Sequence, residues 1–579
     1  MSWVFGIISS KSDRNFDVNK FKLIHPDPLF KISNKTRYIV AGGIKETCKC
    51  STEISRNNSK GWIVCGLGIQ YTDDKYSFLD TSDWDRILNI TDFHLKDLDG
   101  HFVTLMWDSN VITIRNDQLG QRDMYFTKTN DFIAFSTRLD WIVRLRNDCA
   151  LNIEAFSSSW MLENSLTYDC FITKIKRLGP GGSALLSQRS LNISFEPWLP
   201  KKNIKFDTSN PIELLRRFTL FPLSSGYKVD LGLSGGVDSR TLLSLLLSND
   251  SRNWNVHSFG KTDMPDVLIA KQISKHFSLE HLLYYQPIPN INKIVKQFHE
   301  FIAQTLTFVP AHHFIDFGYY EQMYMKNKVI IDGGKGEYFR RVFANRLAIK
   351  GEKFLIDHNI PQIMKYLKIY KSSIFKDDVE RLMENSCDIQ IEQVLQSMPD
   401  LKDMNIGNWI DLFSIRYRTG NSGSVTQSLM DNFVLNYMPY IQPNLLNAIF
   451  QTPIRKRKSW SLNKKILKEN KQLMKFKLEK YDTLIPFQLN ILTSYISAKI
   501  LRYSFRYHNL TQYDFLEVLE NYIQDTYRSS EVRNYILYDY KKIKNVVELY
   551  YSGKKEFASE LVWWLTFDVW RKILNEKNN

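Results

Sequence analysis

Cysteine is scarce, with six in 579 residues: Cys48, Cys50, Cys65, Cys149, Cys170 and Cys387. Only Cys48 and Cys50 are near neighbours, and a lone C-x-C makes neither a zinc framework nor a disulfide ladder. The thiols are therefore expected to be reduced and mostly buried, in a cytoplasmic protein. Seventeen prolines and 25 glycines are too few for a collagen-like or linker-dominated chain. No apolar run approaches the roughly 18 residues that span a bilayer. The start, MSWVFGIISSKSDR, has no basic flank and no small-residue cleavage site, so no signal peptide is expected. No repeat of fixed period and no low-complexity tract is visible.

What is present is a large apolar inventory: 43% hydrophobic and 13% aromatic residues against 24% charged. Such a chain buries a sizeable core, which excludes wholesale disorder. Lysine and arginine outnumber aspartate and glutamate by 77 to 62, a formal charge of +15 that points to an anionic partner without naming one. At about 150 residues per domain the length admits three or four domains.

Two halves differ in pattern. Residues 1–200 read as short strands broken by Asp, Asn and Gly: WVFGII, GWIVCGLGI, HFVTLMW, VITIRND, MYFTK and FIAFST. Close spacing of such runs predicts antiparallel sheets. After Pro211 strands alternate with helices. PIELLRRFTLF is helical, VDLGL a buried strand, SRTLLSLLLS a helix and NVHSFG a strand. PDVLIAKQISKHF is amphipathic, with Val267, Ile269, Ala270, Ile273 and Phe277 on one face, and NKVIIDGG is a further strand. That alternation predicts a parallel, doubly wound sheet. From about residue 350 helical periodicity dominates.

The most informative stretch runs from Val229 through Leu233 and the turn Ser234-Gly235-Gly236-Val237-Asp238-Ser239 to Arg240. A strand leading through two glycines into a helix is a phosphate cradle. The glycines let backbone N–H groups approach an anion, and the helix N-terminus adds its positive dipole end. Ser234 and Ser239 supply hydroxyl donors, and Asp238 is placed to hold a magnesium ion bridging phosphates. The missing Gly-Lys-Ser/Thr ending excludes the P-loop of kinases and GTPases. A plain serine–glycine turn capping a helix is the competing reading.

SGGVDS resembles the pyrophosphate loop of the ATP pyrophosphatase (PP-loop) superfamily, and the downstream segments are similar to those of the asparagine synthetase family. His257-Ser258-Phe259-Gly260, then Asp263-Met264-Pro265-Asp266, looks like that family's adenine-side strand and its sequel. Asp332-Gly333-Gly334-Lys335-Gly336-Glu337-Tyr338-Phe339 stands where the family has Gly-x-Gly-x-Asp-Glu-x-Phe. Lys464-Lys465-Ile466-Leu467-Lys468-Glu469 is similar to the helix preceding an essential lysine. Order points to Lys480 for that cation, with Lys477 close behind. In the first half Met1–Gly6, Leu98–Phe102, Asp117–Arg122 with Tyr125, and Phe135–Thr137 lie over the family's N-terminal landmarks.

The resemblance implies two units. One is a class II glutamine-amidotransferase-like (Ntn-type) antiparallel β-sandwich over 1–205. The other is a PP-loop parallel-sheet synthetase with a helical C-terminal region over 206–579. It implies ATP and Mg2+ as cofactors, nucleotide contacts from Leu233 to Ser239, at Ser258, Phe259 and Gly260 and at Gly333 and Gly334, and metal ligation by Asp238 and Glu337. Catalysis would fall to Asp238, Lys480 and Glu337.

Three departures qualify this. The family's nucleophilic cysteine after the initiator methionine is Ser2 here, and its Arg-Gly-Pro-Asp and Asn-Gly-Glu glutamine motifs have no counterpart, so the glutaminase is expected to be inactive. The second metal ligand has become Gly336, leaving Glu337 as substitute or as a helix-start carboxylate. Arg340 and Arg341 follow where relatives often carry glycines, either as an anion clamp or as a solvated helix start. His312-His313 is not expected to form a metal pair, because adjacent side chains point apart.

The expected function is an AMP-forming amide ligase that adenylates a carboxylate and joins it to an amine without hydrolysing glutamine, in the manner of β-lactam synthetase or lasso-peptide cyclases. The carboxylate substrate is a small molecule, peptide or sugar acid; no membrane partner is expected, and nucleic acid is disfavoured. Glutamine- or ammonia-dependent asparagine synthesis is the nearer alternative, and a tRNA-modifying PP-loop enzyme the more distant one.

Overall fold

A computed structural model describes residues 2–10, 24–51, 59–90, 95–201, 210–285, 288–305, 308–340, 347, 351–480, 483–487 and 510–575. Asn292, Arg340, Lys480, Thr483, Leu510, Ile573 and Asn575 are described by backbone alone. The fold of the described residues is mixed α/β: two large antiparallel sheets, a two-stranded antiparallel ribbon (Leu478–Lys480 with Thr483–Ile485), one parallel sheet and many helices.

The two large antiparallel sheets fill the first half. One has six strands with Trp3–Ser9 flanked by Phe132–Ser136 and Arg37–Gly42; the other has seven, with Gly61–Thr72 and Asp99–Trp107 at its centre. Alternation sorts the side chains. Val4 and Ile8 face the space between the sheets with Ile39, Ile63, Cys65, Val103 and Ile114. Trp3, Phe5 and Ile7 face the opposite way, into the core shared with the helices. With both faces covered, every residue of Trp3–Ser9 is buried, which is why WVFGIIS reads as a continuous apolar run rather than an alternating one. All six cysteines are thiols, four of them buried. The expected boundary at 205 falls in residues 202–209, outside the described residues.

The second half opens with α1 (Pro211–Ser224), started by Asn210 capping Ile212 N–H and by proline in the first turn. Then come β1 (Lys228–Gly232), α2 (Val237–Leu247), β2 (Trp254–Phe259), α3 (Pro265–His276), β3 (His281–Tyr284), β4 (Lys328–Ile331) and β5 (Asn436–Tyr437). All pairings are parallel, in the order β3-β2-β1-β4-β5. The chain thus winds outward from β1 on one side and resumes at β4 on the other. The C-terminal ends of β1 and β4 flank the point where the winding reverses, the place where open α/β sheets leave a crevice for ligands.

The described residues between β4 and β5 are largely helical. They include Asp377–Ser397 and a nine-residue π-helix, Ile415–Gly423, a rare geometry that periodicity does not foretell. Among the described residues no helix is long and apolar enough to cross a membrane.

Candidate functional site

The turn after β1 is organised by its own serines. Ser234 N–H donates to Ser239 Oγ (3.2 Å), Gly236 N–H donates to Ser234 Oγ (3.1 Å), and the two hydroxyls lie 3.0 Å apart. Gly235 is gripped on both sides. Its N–H donates to Asp266 Oδ1 (2.6 Å), and its carbonyl accepts from Glu479 N–H (3.1 Å) and Arg240 Nη2 (3.1 Å). A Cβ on Gly235 would lie 2.8 Å from Glu479 Cβ, so this close approach requires glycine.

With the N–H groups of residues 234–236 committed, the anion-binding capacity of the turn rests on the first turn of α2. Gly236 is the N-cap and offers no side chain to cap it. An eleven-residue helix therefore begins with first-turn donors and the positive dipole end directed at the crevice.

The loop after β4 closes on this helix start. A Cβ on Gly333 would lie 2.6 Å from Ser239 N, and one on Gly336 would lie 2.3 Å from Asp238 Cγ. The Asp238 carboxylate thus occupies the space a side chain on Gly336 would need. Tyr440, fully buried, donates its hydroxyl to the Asp238 carbonyl (3.0 Å). Gly334 N–H donates to Asp332 Oδ1 (2.6 Å), and burial raises the Asp332 carboxyl above its ordinary range. Glu337 opens the short helix Glu337–Arg340, next to Lys335. Lys335 itself has φ of 63°, a left-handed conformation unusual for lysine, and its ammonium points towards Gly423 of the π-helix.

Beneath the crevice, Asp230 on β1 binds His257 Nδ1 (2.7 Å), Asn255 Nδ2 (2.9 Å) and Lys328 Nζ (3.3 Å), joining three neighbouring strands. Burial pushes the Asp230 carboxyl up, but His257 and Lys328 outweigh it and hold it below the ordinary value. Ser258 Oγ donates to the Leu233 carbonyl (2.7 Å) and fixes the entry to the turn. Phe259 stacks on Tyr319 (5.3 Å, 11°). Gly260 takes φ of +106°, where a Cβ would strike Met264 Sδ.

Leu233–Ser239, Ser258, Gly333 and Gly334 therefore come together around one crevice, and Glu337 begins the helix that follows the second loop. Lys480 ends the strand Leu478–Lys480, whose Glu479 is bonded to Gly235, while Lys477 is exposed. Arg341 lies outside the described residues, as does the Arg340 side chain. Asp238 and Glu337 are hard oxygen donors of the kind magnesium takes, and the Cβ-free space over Gly336 seats the Asp238 carboxylate against the loop that leads to Glu337. Among the described residues no three carboxylate, histidine or cysteine side chains gather at a single point.

Sequence reasoning missed Arg240. It is fully buried on α2, and besides Gly235 it donates to the carbonyls of Leu473 (3.1 Å), Phe476 (3.0 Å) and Lys477 (2.8 Å). Burial lowers its pKa to about 10. The available signal was a lone cation in the otherwise apolar helix SRTLLSLLLS. His312 and His313 overturn an expectation. They do not point apart: a 3-10 turn brings their ring centroids to 4.3 Å, tilted by 33°. His313 binds Asp316 (2.6 Å), while neither ring nitrogen of His312 has a hydrogen-bond partner.

Ser2 lies far from water, 2% exposed, against the second half of the chain. Its N–H donates to the Asp431 carbonyl (3.4 Å), its carbonyl accepts from Arg122 Nη2 (2.7 Å), and its hydroxyl is 3.3 Å from the same nitrogen. Arg122 Nη1 also binds Asp431 Oδ2 (2.7 Å), and Asp431 Oδ1 meets His101 Nε2 (3.0 Å). Burial raises the Asp431 carboxyl, but His101 and Arg122 outweigh it and hold it low.

No family model and no curated protein matches the sequence. Among solved structures, the chain is similar to glutamine phosphoribosylpyrophosphate amidotransferase from B. subtilis complexed with ADP and GMP. The identity is 10% and the TM-score 0.21, over 49% of this chain and 85% of that one. It is also similar to a structure described as the allosteric regulatory enzyme of purine biosynthesis, at 11% identity and a TM-score of 0.19, over 60% and 71% of the two chains. Both are enzymes by name.

Proposed function

We propose that the chain is an ATP-dependent, AMP-forming amide ligase of the asparagine-synthetase type that works without glutamine hydrolysis. The observation that carries this reading is the convergence of two glycine-bearing loops, Ser234–Ser239 and Asp332–Glu337, on one helix N-terminus at the point where the parallel sheet reverses its winding. The first turn of α2 receives pyrophosphate, and Asp238 and Glu337 would hold a magnesium ion. That ion, when bound, neutralises phosphate charge.

ATP is a substrate of the reaction. A carboxylate oxygen attacks the α-phosphorus, the bond to the β-phosphate oxygen breaks, and pyrophosphate leaves. An amine then attacks the acyl carbon, AMP departs, and the amine proton passes to solvent or a base. Lys480 is assigned to the charge that develops on the phosphoryl oxygens.

The Ser2 environment favours the glutamine-independent form over a glutamine-fed asparagine synthase. A hydroxyl nucleophile needs a base, and its neighbour here is a guanidinium, which accepts no proton.

The test is ATP–pyrophosphate exchange across a panel of carboxylic acids, with Mg-ATP binding measured alongside. Exchange should be abolished in Asp238→Asn; exchange that survives the substitution would sink the assignment of the ATP site.

A further inference from the structure

Beyond Asp266 and Glu479, which sit against Gly235 itself, the segment leading to the crevice exposes mainly positive charge. From Lys468 to Lys477 the chain exposes Lys468, Lys471, Lys475 and Lys477. The only carboxylate in that stretch, Glu469, is taken by Arg216 (2.5 Å). The C-terminal turns of α3 extend the surface. Lys271 and Lys275 are exposed one helical turn apart, and the adjacent His276 ring lies 5.5 Å from that of Phe476. This strip is not a loose surface. Arg240 binds the carbonyls of Leu473, Phe476 and Lys477 with the same guanidinium that binds Gly235, so the backbone bearing the lysines is fastened to the turn proposed to take pyrophosphate.

We infer that this lysine strip is the docking surface for an acidic peptide that presents its reacting carboxylate at the Gly235 end. The inference rests on the ligase reading and narrows its substrate. Three features favour a peptide. The cations are lysines, hydrated point charges suited to carboxylates at variable spacing rather than to forked recognition of one planar group. Half-buried Met474 and Phe476 lie between them and give apolar side chains of a peptide something to cover. The rings on this surface, half-buried Phe476 and exposed His276, meet edge to face (5.5 Å, 70°) rather than standing in an open row like the stacking platform of single-strand nucleic-acid sites.

The test uses the full chain and a fluorescein-labelled peptide of glutamates with interspersed leucines, read by anisotropy without ATP. Wild type should bind it with an affinity that falls as salt rises. The variant combining Lys468→Glu, Lys471→Glu and Lys475→Glu should bind at least about tenfold more weakly while its Mg-ATP affinity is unchanged. Equal binding by the triple variant, or no binding by wild type, overturns the inference. So does tighter binding of a single-stranded oligonucleotide or a polygalacturonate of matched charge. Failure of the ligase reading is separately visible: salt-dependent peptide binding with no pyrophosphate exchange removes the chemistry and supports the docking surface.

Discussion

Asp238 and Gly336 share a space that only one of them fills: a Cβ on Gly336 would stand 2.3 Å from Asp238 Cγ and 2.7 Å from its Oδ1. The glycine that removes one expected metal ligand is thereby what seats the other. Gly336→Ala should displace the Asp238 carboxylate. We expect pyrophosphate exchange to fall by about a hundredfold, the scale of an ångström-sized misplacement of a reacting group, with Tm little changed because the nearest atoms a new Cβ meets all belong to the Asp238 side chain. Wild-type exchange in Gly336→Ala would refute the shared-space argument.

Arg240 holds four carbonyls with one buried guanidinium. Arg240→Met fills much of the volume but leaves those acceptors without their donor, at a cost of about 2–4 kcal/mol. Urea denaturation should show that loss, and the KM for ATP should rise as the turn loosens. Arg240→Lys, reaching fewer of the carbonyls, should fall between the two; a variant as stable as wild type contradicts the role.

Replacing the hydroxyl by the expected thiol should not revive glutamine chemistry. In Ser2→Cys the thiol would still face Arg122 inside a closed interface, so glutamate release should stay at background in a coupled glutamate assay. Robust release would show that the site opens to glutamine and that the Arg122–Asp431–His101 network yields.

Asp99 accepts Asn444 N–H (2.9 Å) and Asn444 Nδ2 (2.7 Å), yet burial raises its carboxyl to about 7. The folded state therefore binds this proton more tightly than the unfolded chain, whose carboxyl titrates near 3.8. The proton's stabilising contribution is complete below 3.8 and is lost as pH rises towards 7. Denaturation midpoints of wild type minus those of Asp99→Asn, measured at several pH values, should decline across that window and level off above it. A flat difference would place Asp99 in water.

The turn at the sheet's switch point was legible because its residues are contiguous. Strand, turn and helix all lie within Val229–Leu247, and glycine spacing alone announces the close backbone approach. The strands were legible too, since alternation and β-branched runs mark Ile112–Asn116 as well as Trp254–Phe259. Asp431 was not, because its partners His101 and Arg122 are more than 300 positions away, and local pattern contains no term for such pairs. The His312–His313 contact escaped because a 3-10 turn breaks the helical or extended geometry on which the argument from adjacency depended. Gly336 was seen only as a missing ligand; that Asp238 claims its space is a fact of packing, not spacing.

The π-helix Ile415–Gly423 belongs to both halves of the molecule. From the antiparallel half, Tyr168 binds the Arg416 carbonyl, Asn421 reaches the Ser165 carbonyl, and Arg177 holds Asn421 and the Gly420 carbonyl. From the crevice side, Tyr338 binds Thr419 and the Ser414 carbonyl. The two halves are thus masonry with a common course of stone. Descendants of this chain could lose every reaction from the first half, yet deleting that half would pull away the wall behind the glycine loop. Retention of the N-terminal sheets is what this architecture demands, whether or not anything is catalysed there.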